Sequence, residues 1–451
     1  MVGGSRAVER CDALKRPPYS EAADMLFRPY LSAAHDATIA QLTAWMAEAG
    51  MAVRLDPAGN VVGRYESFIP PQLAGEGDRA RMASGVVGAD SCVSPPSGFA
   101  GVPPVNWGDM KSLIIASHID SVRDGGAYDG PLGVMLGIEV VAALNAHNIR
   151  LPFAIEIYAF GDEEGSRFPA SMLCSRAVCG QIDYSALDVA DRDGVTLAAA
   201  LESFGLNRET LLTARRDSSE LIGYLEAHIE QGPVLEAEGL ALGVVTSIAC
   251  QKRFEVTVTG VAGHAGTNSM ALRKDALTAG AEMVLGIEAV AQAGPEDLVA
   301  TVGRMTVGPN APNVVPGEVV FTIDVRAGTE APRDQAADAI LQQIQQIAAK
   351  RGTPASTRLI HDLPAAPCDK SMMEKLSRAV ADVTGQAARP IVSGAGHDAM
   401  AFAGITPTAM LFIRCKDGIS HNPLEAVDPA DVDLAFRAML AFVQDLGTTD
   451  E

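Results

Sequence analysis

The chain has 451 residues, 48% apolar and 20% charged, enough for two or three domains around a large core. Its formal net charge of −21 argues against nucleic acid as a ligand, because phosphate binding needs a basic face. A small anionic substrate stays open, since one well-placed Arg can dominate locally.

The N-terminal MVGGSRAVERCDALKRPPYS lacks the apolar core of a signal peptide. No apolar run reaches the ~18 residues that span a bilayer. The expectation is a soluble, cytoplasmic protein with no membrane partner. Residues 20–50 carry Leu26, Leu31, Ile39, Leu42 and Met46 near helical spacing, which predicts a helix. MAVRLDPAGNVVGRYE (51–66) reads as two strands around a turn at Pro57, Ala58, Gly59 and Asn60. The Gly/Pro/Ser-rich stretch 67–108 reads as a long, mobile surface insertion.

SLIIAS (112–117) predicts a buried strand, LGVMLGIEVVAALNAH (132–147) an amphipathic helix, and FAIEIYAF (153–160) a second strand. This order is the α/β signature, in which ligands gather at the carboxyl ends of the strands. The pattern changes near residue 250. RFEVTVTG (253–260) alternates with period two; a helix follows at about 270–293, then LVATVGRMTV, EVVFTIDVR (318–326) and a helix at about 332–350. That order predicts a small α+β domain with two helices covering one sheet. After PAAPCD (364–369) the α/β pattern returns, with a helix near 371–384, a strand in TAMLFIR (408–414) and a last helix at about 429–446. The expected division is a catalytic domain in two parts, 1–248 and 365–451, with 249–364 inserted between them.

Seven cysteines form no CxxC pair, so neither a disulfide framework nor a structural zinc site is suggested, and Cys174 and Cys179 read as buried bystanders. The chemistry lies elsewhere. In SHIDSVRDGGAYDG (117–130), His118 ends a strand, Asp120 is placed to hydrogen-bond it, and Asp129 sits between Tyr128 and Gly130. GDEEGSRF (161–168) adds adjacent carboxylates, costly to bury without cations; Glu164 is assigned to a metal and Glu163 to the base. HIEQGPVLE (228–236) gives His228 and Gln231, and GISHNP (418–423) gives His421. Two histidines and a carboxylate around an ion leave room for water, and a shared Asp can join two ions about 3.5–4 Å apart. Taken singly, these segments also read as an ordinary turn, a solvated acidic turn and structural histidines. Five of the eight histidines (118, 228, 264, 397, 421) fall in Gly- or acid-rich loops, which packing alone explains poorly. EVVFTIDVR puts Val319, Phe321, Ile323 and Val325 on one strand face and Thr322, Asp324 and Arg326 on the other, so Arg326 is either a carboxylate clamp or a surface ion pair.

These landmarks, with DGVTLAAALESFG, GVAGHAGTNSMALRKDAL, PNVVPGEVVFTIDVR and SGAGHDAM, resemble the M20-type amidohydrolases of the hydantoinase/carbamoylase group from about residue 20 to 447. Ser121 and Tyr128 depart mildly from its pattern, and 67–108 has no counterpart in it. The resemblance implies an M20 peptidase-like two-domain fold, an α/β catalytic domain with an inserted α+β dimerisation (lid) domain. It implies two divalent ions per subunit (Mn or Zn, with Co or Ni acceptable): His118, Asp129 and His228 on one side, Asp129, Glu164 and His421 on the other, with Glu163 as base. His264, Asn313 and Arg326 would be substrate contacts serving the partner subunit of a homodimer. Gln231 and Gln251 match further substrate positions, and Gly396 and His397 a pocket-lining loop. The implied substrate is a small ureido carboxylate. Several segments look most like allantoate amidohydrolases of purine breakdown, with N-carbamoyl-L-amino acid hydrolases and β-ureidopropionases as the close alternative. A metallopeptidase on the same scaffold, or a catalytically dead binding protein, are the more distant readings.

Overall fold

A computed structural model describes residues 2–67 and 110–448. The expected insertion at 67–108 lies, but for residue 67, outside the described residues. The chain divides into two compact units: Met1–Val245 with Cys368–Ile391 and His397–Glu451, and Thr246–Pro367 with Val392–Gly396.

In the first unit a mixed sheet runs through Ala52–Leu55, Val61–Tyr65, Ala154–Phe160, Ser112–His118, Leu221–Ile229, Thr408–Ile413 and on to Leu242–Ile248. Ser112–His118 is parallel to Ala154–Phe160 and to Leu221–Ile229, and Thr408–Ile413 is parallel to Leu221–Ile229. Four parallel strands therefore end on one edge. In register, His118 lies opposite Phe160, and His228 opposite Phe412. Apolar residues fill both faces of these strands, as buried parallel strands require.

Helix Pro131–Ala146 packs against this sheet, and every residue from Pro131 to Leu144 is buried. The expected amphipathic helix is thus a core helix, covered on all sides. Its buried Glu139 is held by Arg6 and Arg10 of helix Gly4–Ala13, which no sequence signal announced, and by the Gly3 amide just before that helix. The helix expected over 20–50 spans only Ala33–Glu48. Ser32 caps it, accepting the His35 amide, and 21–32 is irregular. The turn at 57–60 is built on Asp56, which accepts the Ala58 and Asn60 amides while Gly59 takes a positive φ.

In the second unit an antiparallel sheet runs Met305–Gly308, Glu318–Ala327, Cys250–Thr259, Ala355–Leu363, with Val299–Thr301 also on Glu318–Ala327. Val319, Phe321, Ile323 and Val325 pack with Val256 and Val258 against helices Ala276–Gln292 and Glu330–Arg351. The other face carries Gln251, Arg253, Thr322, Asp324 and Arg326, as the alternation foretold. The helix expected from about 270 begins at Ala276, where Asp275 accepts the Leu277 and Thr278 amides. All six described cysteines are free, and among the described residues no helix is long and apolar enough to cross a membrane.

Candidate metal centre

The ends of the parallel strands bring the polar motifs together. His118 is the last residue of its strand and Glu163 and Glu164 follow Phe160. His228 is the penultimate residue of Leu221–Ile229, so it belongs to a strand and not to the loop expected of it. His421 lies beyond Ile413, with φ 53°.

Asp129 stands at the middle. His118 Nε2 and His228 Nε2 lie 3.5 and 3.2 Å from its Oδ1, and 3.5 Å from each other. His421 Nε2 lies 3.3 Å from its Oδ2 and 3.4 Å from Glu164 Oε2. Donor atoms of His118, Asp129 and His228 fall within 4.8 Å of one another, as do those of Asp129, Glu164 and His421, and those of His118, Glu163 and Glu164. His118 and His228 are buried, whereas the His421 side chain is 51% exposed, so the second group opens toward solvent.

Asp120 ties the two acidic motifs together. Its carboxylate accepts the Glu163 and Glu164 amides at 3.0 and 3.2 Å, and its Oδ1 lies 3.3 Å from His118 Nδ1. That contact orients the imidazole so that Nε2 faces Asp129. Gly130 follows with φ 85°; a Cβ there would stand 2.5 Å from the His118 ring, so the close approach requires glycine. Beneath the loop, buried Arg28 donates to the carbonyls of Ile119, Leu14 and Tyr19, pinning the segment after His118.

The electrostatics are those of an acid cluster held against imidazoles. Burial alone would raise Asp129, but the three histidines pull its pKa well below the ordinary carboxylate value. Burial would lower His118, and Asp120 and Asp129 instead hold it well above. Burial, then the neighbouring Asp129, pushes Glu164 up to about 7. Burial also raises Glu163, against the opposing pull of His118. The Asp129 hydrogen bond lifts His421 to about 9. Among the described residues, the ion pairs of Asp129 and Glu164 are all with histidines. Mixed imidazole and carboxylate donors in two groups sharing one Asp suit a pair of divalent cations.

The remaining expected residues are placed as follows. The Gln231 amide donates to Asp129 Oδ2 at 2.8 Å and to Ser420 Oγ at 3.1 Å. His397 is buried edge-on against His228, ring centroids 4.5 Å apart; burial and His228 hold its pKa well below normal. Gly396 ends the second unit. In that unit His264 lies opposite Val314 in a short two-stranded ladder, and the Asn313 carbonyl accepts the Ala265 amide. Both His264 and Asn313 are exposed. Arg326 binds Asp324 through Nε at 2.9 Å, and Gln251 and Arg253 donate to the same carboxylate.

Three residues near the centre escaped the sequence reading. Glu226, buried two positions before His228, takes hydroxyls from Ser117 and Tyr224 and the Ala399 amide; an acid inside an apolar strand was the available signal. Ser420 and Glu425 lie beside Asp129, and nothing in their spacing marked them.

The pattern of the peptidase family M20/M25/M40 matches residues 114–445. The chain belongs to this family. Allantoate deiminase of Arabidopsis thaliana is 35% identical over an alignment of 455 positions, covering 94% of this chain and 79% of the relative. The N-carbamoyl-L-amino acid amidohydrolase of Geobacillus stearothermophilus is also 35% identical, over 85% of this chain and 84% of its own length. A crystal structure of a hydantoinase/carbamoylase family amidase from Burkholderia multivorans superposes with a TM-score of 0.82 at 30% identity, covering 99% and 98% of the two chains. The M20 membership makes the chain a hydrolase of the amidohydrolase type on a mixed α/β two-domain fold.

Proposed function

We propose that the protein hydrolyses the ureido C–N bond of allantoate, releasing ammonia and carbon dioxide. The observation that carries the hydrolytic reading is Asp129, shared between a His118–His228 group and a Glu164–His421 group, with the Glu163 carboxylate beside both His118 and Glu164. The substrate rests on the plant allantoate deiminases, which align over 94–95% of this chain.

In this reading His118, Asp129 and His228 hold one divalent ion and Asp129, Glu164 and His421 the other. Bound there, the ions supply Lewis acidity that eases deprotonation of water and polarises the carbamoyl oxygen. Glu163 takes the proton of the attacking water and returns it to the departing nitrogen. A carboxyl raised by burial suits both halves of that task. Asp120 keeps the Glu163 and Glu164 backbone in place. His264 stabilises the developing oxyanion, and such donors are typically worth about 3–4 kcal/mol. Asn313 and Arg326 hold the substrate carboxylate, which orients the ureido group. These three act in the site of the partner subunit of a homodimer.

Ammonia release from allantoate, N-carbamoyl-L-amino acids, 3-ureidopropionate and dipeptides, after loading with Mn2+ or Zn2+, tests the proposal. Allantoate should be turned over with the highest kcat/KM. Preference for an N-carbamoyl-L-amino acid would move the assignment to the second reading, which the Geobacillus relative supports at equal identity. Cleavage of dipeptides alone would remove both. Mixing Glu163→Gln with Arg326→Ala protein tests the dimer: if the groups act in trans, mixed dimers regain at one site the wild-type kcat/KM that neither variant has alone.

A further inference from the structure

Glu425 is buried, is no member of the ion-holding groups, and stands against the residue that joins them. Its Oε1 accepts the backbone amides of Tyr128 and Asp129 at 2.8 and 3.1 Å. Its Oε2 lies 3.2 Å from Ser420 Oγ, and Ser420 Oγ lies 2.5 Å from Asp129 Oδ2. Gln231 Nε2 completes the cluster, reaching Asp129 Oδ2 and Ser420 Oγ. The chain is shaped around this carboxylate: a Cβ on Gly126 would stand 2.1 Å from the Glu425 carboxyl carbon.

A second acid beside Asp129 is unfavourable in itself, since like charges in a buried place repel. Two charge-assisted amide bonds offset part of that cost. A purely structural acceptor for those amides could have been neutral. What this carboxylate does in addition is tie the peptide carrying Asp129 to the loop carrying Ser420 and His421, across 297 positions of sequence. An Asp that serves two ions must present its two oxygens in fixed directions, and here one oxygen faces His118 and His228 while the other faces His421.

We infer that Glu425 is a positioning residue: with Ser420 it fixes the Asp129 carboxylate so that each oxygen can serve one ion position. The inference rests on the two-ion reading above.

The test uses the metal-free full-length protein titrated calorimetrically with Mn2+, together with kcat and KM on the best substrate of the panel. Glu425→Ala should weaken binding of at least one ion by about 10–100-fold, the range for residues that orient metal ligands. It should lower kcat more than it changes KM, since Arg326 and Asn313, proposed to hold the substrate carboxylate, are not bonded to this cluster. Glu425→Gln keeps a carbonyl for the two amides and should recover most of the affinity. Ser420→Ala should weaken binding by about tenfold, the low end of that range, and decides the matter if Glu425→Ala does not fold. Gly126→Ala, which displaces the carboxylate without removing it, should behave like Glu425→Ala. Wild-type affinity for two ions in Glu425→Ala, or in Ser420→Ala, overturns the inference, as does an equal loss in the Gln and Ala variants at 425. A wild-type chain that binds no pair of ions refutes the two-ion reading instead, and the two failures are separable.

Discussion

Asp129 and Asp324 are both partly or wholly withdrawn from water, and their surroundings differ in kind. Asp324 sits on the polar sheet face of the second unit, bound by Arg326, Arg253 and Gln251, and these neighbours outweigh partial burial to lower its pKa to about 2. Its charge is balanced by side chains of its own sheet. Asp129 is surrounded by imidazoles and by further acids, two of which, Glu164 and Glu425, are pushed up to about 7. The first arrangement is balanced by its own cations; the second gathers acids and imidazoles that suit added cations.

The contrast is broken most severely at the base. Glu163→Gln should retain both ions but lose about 10²–10⁴-fold in kcat; stopped assays on metal-loaded protein check this, and a near-normal rate removes Glu163 from the role. Stripping the ions with a chelator should destabilise the first unit, because binding at a free concentration of 100 Kd contributes about 2.7 kcal/mol. Calorimetric melting with and without Mn2+ reads the shift, and identical curves would mean that the acid cluster needs no cation. In the second unit Arg326→Ala should raise KM for carboxylate substrates by about 10–100-fold, from the loss of about 1.5–3 kcal/mol of charge-assisted hydrogen bonding. An unchanged KM would leave Arg326 as the partner of Asp324 only.

The smallest effect sharpens the picture of the first unit away from the centre. His35 Nδ1 accepts the Leu31 amide, its Nε2 has no partner, and burial lowers its pKa to about 3. The unfolded chain takes up this proton near pH 6.5, and the folded one does not. Stability contributed by the neutral ring is therefore full above about 6.5 and falls as pH drops toward 3, by up to about 1.4 kcal/mol per unit. Urea unfolding at pH 7 and pH 5 should show a smaller difference in His35→Gln than in wild type.

Much of this was legible in the chain. Continuous apolar runs located Ser112–His118, Ala154–Phe160 and Thr408–Ile413, which are buried on both faces, and an alternating run located Glu318–Ala327, which is buried on one. The acids and histidines following those strands then fell on one edge by topology alone. Leu221–Ile229 was missed as a strand because Gly223, Glu226 and His228 interrupt its apolar run. Those polar groups are tolerable only because Ser117, Tyr224 and Asp129 satisfy them from elsewhere. The stretch 21–32 imitates a helix in its spacing, but the Ser32 cap restarts the helix at Ala33. Glu425 was invisible for a related reason: the two amides it accepts lie almost three hundred positions upstream, and no local pattern records them.

The ion-holding groups are distributed from His118 to His421, with Glu425 just beyond. During translation the imidazole nearest the C-terminus leaves the ribosome last, when most of the first unit's strands are already available to pair. In the two-ion reading, the second ion position is completed only once His421 has been made. A nascent chain halted before residue 421 has the His118, Asp129, His228 group and the His118, Glu163, Glu164 group, and lacks only the group that His421 completes.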